Sequence, residues 1–254
     1  MDEAAIASRV TITTGIKPIF IIHFLRATAS VNNNQMQNKF LNIDCMDERE
    51  GLPSYPDNFF DLAIVDPPYG INVGSQRINS SRATKKWKNP TEYKYKIFDD
   101  SNIPDDKYFN ELLRVSKNQI IWGANYFTDK IPPSKGWIVW DKKVNPKEHL
   151  SMFELAYSSF DVRGKIARFL WAGFKKCIQE KRIHPTQKPV ALYQWLITEY
   201  AKPGDLILDT HVGSASSLIA FESMGFNYHA FEIDEDYYKA ALERMRAGIQ
   251  TAIF

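Results

Sequence analysis

Three acidic residues that end or follow apolar segments could take part in chemistry. Asp66 closes the apolar run in "FFDLAIVDPPYGI" and is followed by two prolines and an aromatic residue. Asp209 ends the run "LILD", and Glu232 follows the run "YHAF". Carboxylates can accept hydrogen bonds from amino and hydroxyl groups. The three segments are therefore candidate parts of one binding or catalytic site.

The residues Asp66, Pro67, Pro68 and Tyr69 suit the binding of an exocyclic amino group. Each proline fixes its own φ and restricts the residue before it, which holds the Asp66 carboxylate and the Pro67 carbonyl as two rigid acceptors. Two such acceptors would orient an amine whose lone pair is delocalised into a ring. Tyr69 could stack on that ring, as enzymes that extrude a base from the duplex require. The alternative is a proline-stiffened loop in which Asp66 caps a helix.

The second half of the sequence indicates a nucleoside site. A tight turn at Gly213, followed by small residues such as Ser214 and Ser216, would let a ligand approach the amides at a helix start. Glu232 lies 23 residues after Asp209, and an acidic residue at about that distance commonly binds ribose hydroxyls. The sequence lacks the G-x-G-x-x-G fingerprint of NAD and FAD sites. This pattern favours an adenosine ligand without a pyrophosphate, such as S-adenosylmethionine.

Alternating strands and helices must position these residues. Apolar runs such as "DLAIVD", "NQIIWG" and "DLILDT" predict strands that are covered on both faces. Helices are predicted in "DKYFNELLRVS", "PVALYQWLITEYA", "SASSLIAFESMG" and "EDYYKAALERMRAGI". The alternation predicts an α/β fold with a doubly wound, mostly parallel sheet. Ligands bind such sheets beyond the carboxyl ends of the strands.

Taken together, the motifs resemble those of the DNA amino-methyltransferases of the permuted β type. That family has its catalytic motif first and its cofactor motif last. The matching segments are "DPPYG" (66–70), "HPTQKP" (184–189), "LDTHVGSAS" (208–216) and "FEID" (231–234), within a resemblance over roughly residues 37–250. The resemblance implies a Rossmann-like, S-adenosylmethionine-dependent methyltransferase fold that acts on an amino group of a base extruded from double-stranded DNA.

The same resemblance assigns roles to individual residues. It implies that the catalytic residues are Asp66, Pro67, Pro68 and Tyr69. The implied cofactor-binding residues are Asp44, Cys45, Thr186, Lys188, Asp209, Thr210, Gly213, Ser214, Ser216, Glu232 and Ile233. Asp44 would contact the adenine of the cofactor, and Thr186 and Lys188 would lie near its methionine end. The sequence departs from the family at Thr210-His211, where Pro-Phe is usual, and at Ala215, where the second glycine is usual.

The target base is predicted from Asp66. Family members with Asp in the first position of this motif mostly methylate adenine N6, and those with Ser mostly methylate cytosine N4, so we expect a DNA adenine-N6 methyltransferase. The alternatives are cytosine-N4 transfer by the same site, an RNA substrate, a non-catalytic nucleic-acid-binding module and, at the level of fold, a nicotinamide oxidoreductase. Methylation at cytosine C5 needs a cysteine nucleophile, typically after proline, and neither Cys45 nor Cys177 follows one.

Basic residues cluster next to the candidate catalytic motif. Residues 71–98 carry seven basic residues against one acid, Glu92, with three interleaved aromatics. Cations that contact phosphates and aromatics that stack on bases suit a duplex-binding loop, although such a loop is often only a solvated surface. The nucleic-acid-binding candidates are Arg77, Arg82, Lys85, Lys86 and Lys88. Residues 142–183 occupy the family's usual place for a target-recognition region, which is short here.

Composition sets the remaining limits. A net charge of +2 names no partner, and two cysteines cannot build a disulfide framework. The histidines show no metal-ligand spacing, so no metal is expected. No apolar run approaches the roughly 20 residues that span a bilayer, so a cytoplasmic location without membrane contact is expected.

The domain prediction has one open point, at the start of the chain. Residues 37–254 are expected to form the methyltransferase domain. Residues 1–36 are either an extension outside that fold or supply one extra strand, at 16–25. A homodimer is expected by analogy with related enzymes, and the sequence identifies no partner endonuclease.

Overall fold

In the part of the chain that the structure describes, the fold is built on an eight-stranded sheet and four α-helices. The computed structural model describes residues 38–72, 100–145, 151–172, 175–176 and 182–251. The strands are β1 Lys39–Leu41, β2 Leu62–Val65, β3 Gln119–Trp122, β4 Ile138–Asp141, β5 Phe153–Ser158, β6 Lys165–Arg168, β7 Trp171–Ala172, β8 Lys175–Lys176, β9 Leu206–Asp209 and β10 Asn227–Phe231. The α-helices are α1 Asp106–Val115, α2 Val190–Tyr200, α3 Ser216–Ser223 and α4 Glu235–Thr251. Strands β7 and β8 pair only with each other.

The strand order of the main sheet is β1-β10-β9-β2-β3-β5-β4-β6. Strand β5 runs antiparallel to both of its neighbours, and the other pairings are parallel. The chain continues from β2 to β3 on one side, whereas β9 lies on the other side of β2. The carboxyl ends of β2 and β9 therefore meet at the switch point where ligands bind in such folds. The predicted doubly wound, mostly parallel sheet is confirmed.

Both faces of the sheet are covered, which explains why its central strands are apolar without alternation. Successive side chains of a strand point to opposite faces. Leu62 and Ile64 of β2 lie in a core cluster with residues of α2, α3 and α4. Ala63 and Val65 lie in a second cluster with α1. All four residues of β2 are buried, so the run shows no alternating pattern.

Two helix starts lie next to the predicted site. Pro189 is the N-cap residue of α2, one position before the helix begins. Ala215 is the N-cap residue of α3 and has a φ of 58°, in the left-handed region that favours glycine. A non-glycine residue in that region costs roughly 1–3 kcal/mol, so the departure from glycine at Ala215 is a strained backbone position.

Two strands in the described part of residues 142–183, β5 and β6, are built into the main sheet. Strand β5 lies between β3 and β4, and β6 follows β4 at the edge. The segment predicted as a target-recognition region therefore contributes framework strands, and its contact with DNA stays a prediction. The prediction for residues 1–36 and most of the basic loop 71–98 fall outside the described residues. Among the described helices, none has the length and apolar character needed to cross a membrane.

Candidate active site

The strands bring the predicted acidic residues to one edge of the sheet. Asp66 directly follows β2, Asp209 is the last residue of β9, and Glu232 directly follows β10. Asp44 lies just after β1, at the end of the same sheet. Because these four strands are parallel, their carboxyl ends share an edge. The structure thus gathers residues from four distant parts of the chain, as the sequence predicts.

The Asp66 carboxylate accepts hydrogen bonds from two side chains. The Tyr69 hydroxyl donates to Oδ1 at 2.5 Å, and the Lys188 ammonium donates to Oδ2. Lys188 Nζ also lies 3.2 Å from the Tyr69 hydroxyl oxygen. Burial raises the pKa of Asp66, the nearby Glu154 adds to that rise, and Lys188 opposes it. The side chain of Asp66 remains 18% exposed, so it is not sealed inside the protein.

Lys188 belongs to a chain of alternating charges that the sequence does not reveal. Its ammonium lies 3.2 Å from Glu154 Oε2, and the other Glu154 oxygen accepts a hydrogen bond from Lys142 at 2.5 Å. Burial acts to lower the pKa of Lys188, but Asp66 and Glu154 outweigh it, and the net direction is upward. Burial acts to raise the pKa of Glu154, yet Lys188 and Lys142 hold it below its usual value.

The loop after Asp66 is held by contacts to its backbone and its aromatic ring. Asp100 Oδ1 accepts hydrogen bonds from the amides of Tyr69, at 2.8 Å, and Gly70, at 3.1 Å. The Tyr69 ring stacks on Tyr126 with centroids 5.3 Å apart. A Cβ atom at Gly123 would lie 2.1 Å from the Tyr69 ring, so only glycine leaves room for it. Sequence reasoning missed Asp100 and Tyr126.

At the same edge of the sheet lies a small cavity of about 80 Å³. Its lining residues are Ile43, Asp44, Cys45, Thr210, His211, Glu232 and Ile233. All but Ile43 and His211 were predicted to bind a cofactor. The Glu232 carboxylate accepts hydrogen bonds from the amides of Gly213, at 2.7 Å, and Asp234, at 2.9 Å. Burial raises the pKa of Glu232.

Other predicted cofactor residues form the support of this cavity. Asp209 is buried and accepts hydrogen bonds from the Ser217 hydroxyl, at 2.5 Å, and the His211 amide, at 3.0 Å. Burial is the main cause that raises the pKa of Asp209 to about 7. Ser214 and Ser216 are buried. The Arg244 guanidinium of α4 donates hydrogen bonds to the Ser214 carbonyl and the Ser216 hydroxyl. These residues fix the turn between β9 and α3.

The "HPTQKP" segment packs against the same turn. A Cβ atom at Gly213 would lie 3.8 Å from the ring of His184. The Thr186 hydroxyl is 2.9 Å from His184 Nδ1, and the residue is exposed. Burial lowers the pKa of His184 to about 3, so its ring is neutral at physiological pH. Thr186 is therefore placed near the predicted cofactor turn, whereas the Lys188 ammonium contacts Asp66 and Glu154.

The unusual Thr210-His211 pair makes a hydrogen-bonded chain with α1. The Tyr108 and Thr210 hydroxyls are 2.7 Å apart, and Thr210 Oγ1 is 2.8 Å from His211 Nδ1. Burial lowers the pKa of His211 to about 4, so the imidazole is neutral near pH 7. Helical spacing placed Tyr108 on the packing face of α1 but gave no sign of this polar contact.

Of the remaining predicted residues, Cys45 and the two prolines lie in the described part of the chain, and the others do not. Cys45 is a buried free thiol whose pKa is raised by burial, as expected of an unreactive core cysteine. Pro67 is buried and Pro68 is half-buried directly after Asp66. The nucleic-acid-binding candidates Arg77, Arg82, Lys85, Lys86 and Lys88, as well as Cys177, lie outside the described residues.

Comparison with known proteins identifies the family. The family model N6_N4_Mtase, described as DNA methylase, matches residues 98–243, which is more than half of the chain. The protein belongs to this DNA methylase family. The match begins after the "DPPYG" segment, so the assignment of that segment does not depend on the match.

Individual relatives and solved structures agree with the family. The putative methylase YubD of Escherichia coli (strain K12) is 26% identical over 235 residues, which are 85% of this chain and 92% of YubD. The type II methyltransferase M.HpaI of Haemophilus parainfluenzae is 22% identical over 230 residues, 79% of this chain and 73% of the relative.

Two solved structures show the same fold. The complex of M1.HpyAVI with SAM has a TM-score of 0.51 and 18% identity, over 81% of this chain and 98% of that one. PvuII DNA methyltransferase, which is cytosine-N4-specific, has a TM-score of 0.51 and 11% identity, over 85% of this chain and 94% of that one.

Proposed function

We propose that this protein is a DNA adenine-N6 methyltransferase that uses S-adenosylmethionine and acts on an adenine extruded from duplex DNA. One observation carries the proposal. The half-buried Asp66 carboxylate lies at the same edge of the sheet as the cavity that Asp44 and Glu232 line. This shared edge supports Asp66 as the acceptor for the amine and the cavity as the nucleoside site, because methyl transfer needs the two groups close together.

The residues that line the cavity offer hydrogen-bond and apolar partners for the adenosine part of S-adenosylmethionine. Each Glu232 oxygen accepts one backbone hydrogen bond, which leaves lone pairs for the two ribose hydroxyls. Asp44 is exposed at the cavity wall and can accept a hydrogen bond from the amino group of adenine. Ile233 is 69% exposed and offers an apolar surface to the adenine ring. When bound, the cofactor supplies a methyl group on a positively charged sulfur.

Asp66 acts on the target amine in this proposal. Its carboxylate and the Pro67 carbonyl accept hydrogen bonds from the two amino protons and so orient the nitrogen lone pair. Methylation of the nitrogen, with the sulfur leaving as a neutral thioether as its bond to the methyl carbon breaks, would require the nitrogen to give up one proton. Asp66 is the acceptor in reach, and the upward shift of its pKa by burial makes it a better base than an exposed aspartate.

The choice of adenine over cytosine comes from Asp66 itself, through the family pattern described above. The membership of the DNA methylase family supports DNA as the substrate, and cytosine N4 is the alternative target for the same site. Similarity to the type II methyltransferase M.HpaI supports a role in restriction and modification. A homodimer and a cytoplasmic location stay predictions.

Nucleoside analysis tests the proposal. The protein is incubated with isotope-labelled S-adenosylmethionine and either duplex DNA of mixed sequence or, in a parallel reaction, RNA, and each product is digested and separated. We expect labelled N6-methyladenine. Label in N4-methylcytosine would overturn the choice of base, and label in RNA alone would overturn the choice of polymer.

A substitution tests the role of Asp66. Asp66→Ala should abolish methyl transfer while calorimetry still detects cofactor binding. Asp161→Ala removes a surface carboxylate that pairs only with an exposed lysine, Lys135, and should leave transfer unchanged. Retained turnover in Asp66→Ala would refute the assigned role.

A further inference from the structure

The charged groups around Asp66 form an alternating row across the sheet edge. In order, the row is Lys142 after β4, Glu154 in β5, Lys188 before α2, and Asp66 after β2. The Lys188 side chain is 2% exposed, which makes it a buried cation between two carboxylates. A buried charge is tolerated only when it is paired and hydrogen-bonded. Each internal member of the row has partners on both sides.

Lys188 is fixed in place by more than charge. Its ammonium lies 5.6 Å from the centroid of the Tyr69 ring and 5.3 Å from that of Trp122. Such cation–π contacts favour a charged ammonium in that position. Tyr69 in turn donates its hydroxyl proton to Asp66. Lys188 and Tyr69 therefore hold the two oxygens of Asp66 from different directions.

Glu154 competes with Asp66 for the positive charge of Lys188. Its Oε2 atom lies 3.2 Å from the same ammonium that bonds Asp66, and Lys142 neutralises its other oxygen. Without Glu154, the whole charge of Lys188 would act on Asp66. A carboxylate in a tight, unshared ion pair is a poor proton acceptor, because the cation stabilises its charged form.

We propose that Lys188 and Glu154 are positioning residues that act on the target amine through Asp66. Lys188 holds the Asp66 carboxylate charged and oriented, and Glu154 limits that hold so that Asp66 can still take up a proton. The inference rests on the proposed function, since it assigns Asp66 the role of acceptor for the amine. It gives Lys188 a different role from the cofactor contact that the family resemblance implies.

Other titratable groups also face Asp66. Tyr108 of α1 and Tyr193 of α2 have pKa values raised by burial, so both phenols stay neutral over the working pH range. Asp209 of β9 interacts with Asp66 through its charge, and its pKa is raised to about 7. These groups are common to the wild type and to the variants proposed below. Differences between the variants therefore report on Lys188 and Glu154.

The pH dependence of methyl transfer tests the inference. Lys188→Met leaves Asp66 and Glu154 as two close carboxylates, so the acidic limb of the rate profile should move upward by about 1–3 pH units. Lys188→Arg keeps the charge and should return the limb toward the wild-type position. Glu154→Gln removes the competing carboxylate, so the limb should move downward, by about one unit. The inference therefore requires that Lys188→Met and Glu154→Gln shift the acidic limb of the rate profile in opposite directions.

A matched control is the exposed ion pair of Lys165 and Glu199, with a separation of 2.5 Å. Glu199 lies near the far end of α2 from Lys188, at a distance on the order of 15 Å along the helix. Glu199→Gln should leave the pH profile in place. An unmoved acidic limb in Lys188→Met, or shifts of the same sign in Lys188→Met and Glu154→Gln, would overturn the inference.

Two further measurements separate this inference from the proposed function. Carbon-13 NMR of aspartate carboxyl groups, with Asp66→Asn to assign the signal, reads the titration of Asp66 in the protein without ligands and should show the same opposite shifts. If that titration moves as expected but the wild type methylates no DNA, the proposed function fails and the charge coupling stands. If Lys188→Met loses cofactor binding in calorimetry and the titration of Asp66 is unmoved, Lys188 is a cofactor ligand and the inference fails.

Discussion

The carboxylates on the two sides of the site are held by different kinds of donor. Asp66 accepts its hydrogen bonds from side chains, the Tyr69 hydroxyl and the Lys188 ammonium. Glu232 accepts from two backbone amides, and Asp209 accepts from one amide and one hydroxyl. Backbone amides cannot change charge or rotate away, whereas an ammonium and a phenol can do both.

This difference in hydrogen-bond donors matches the function proposed for each side of the site. A cofactor site needs fixed acceptors, because it must bind the same molecule in the same way in every cycle. The acceptor for an amine must exchange its partners when a base arrives and when a proton leaves. We therefore expect Asp66 to be sensitive to charge changes nearby, and the roles of Glu232 and Asp209 to depend on their own carboxylates.

The largest effect is expected for Asp66→Asn, which keeps the shape of the side chain and removes its charge. Loss of a general base typically lowers a rate by 10²–10⁴-fold, so the turnover number should fall by roughly that factor. Single-turnover kinetics at saturating cofactor would measure it. Cofactor affinity should change by less than about threefold, and a parallel loss of cofactor binding would break the comparison between the two sides.

Asp209→Asn should change how stability depends on pH. The pKa of Asp209 is about 7 in the folded protein against 3.8 as the ordinary value, so the folded state binds the proton more tightly. This contribution to stability is complete below about pH 4 and is lost as the pH rises to about 7, an effect on the order of a few kcal/mol.

Urea unfolding of the wild type and Asp209→Asn at pH 5 and pH 8 measures that contribution. The free energy of unfolding should fall with pH by less in the variant than in the wild type. Ser217→Ala, which removes only a donor to Asp209, should keep most of the wild-type dependence. Equal pH dependence in Asp209→Asn and the wild type would contradict the assignment.

Glu232→Gln should weaken cofactor binding. Hydrogen bonds to a charged group contribute about 1.5–3 kcal/mol each, so the loss of charge should raise the dissociation constant for S-adenosylmethionine by roughly 10–100-fold in calorimetry. Turnover at saturating cofactor should stay within a few-fold of the wild type. Glu235→Gln is the control, because Glu235 is exposed and pairs only with Lys239. A loss of turnover that excess cofactor does not restore would count against the assignment.

The smallest effect is expected for Tyr69→Phe, which keeps the ring and its stacking on Tyr126 but removes one donor to Asp66. Lys188 still bonds the carboxylate, so one net hydrogen bond of about 1 kcal/mol is lost and the rate should fall by roughly tenfold or less. Steady-state kinetics of the purified variant would show it. A loss as large as that of Asp66→Asn would mean that the phenol, and not the carboxylate, governs the step.

Sequence reasoning found Asp66, Asp209 and Glu232 for a physical reason. Apolar runs mark buried strands, and the ends of parallel strands share an edge, so a polar residue after each run belongs to one place. The family resemblance then supplied the roles of these residues. The contact of Asp44 and Ile233 with one cavity follows from the same rule.

That rule does not identify Glu154, because β5 runs antiparallel to its neighbours. The amino end of an antiparallel strand lies at the edge where the parallel strands have their carboxyl ends, and Glu154 is the second residue of β5. The chain order gives no sign that β5 enters between β3 and β4. The single acidic residue in the apolar run "MFELAYSSF" was the available signal, and it looks the same as a solvent-facing strand position.

The place of β5 also affects how the chain is assembled. Strand β4 pairs with β5 and β6, both of which come later in the chain. During synthesis β4 therefore leaves the ribosome before either strand that flanks it exists. Ile138 and Trp140 are buried in the folded protein, but both stay exposed to solvent until β5 has paired with β3. Apolar surface that is exposed in this interval of translation is prone to aggregation, and the interval ends when the sheet extends past β3.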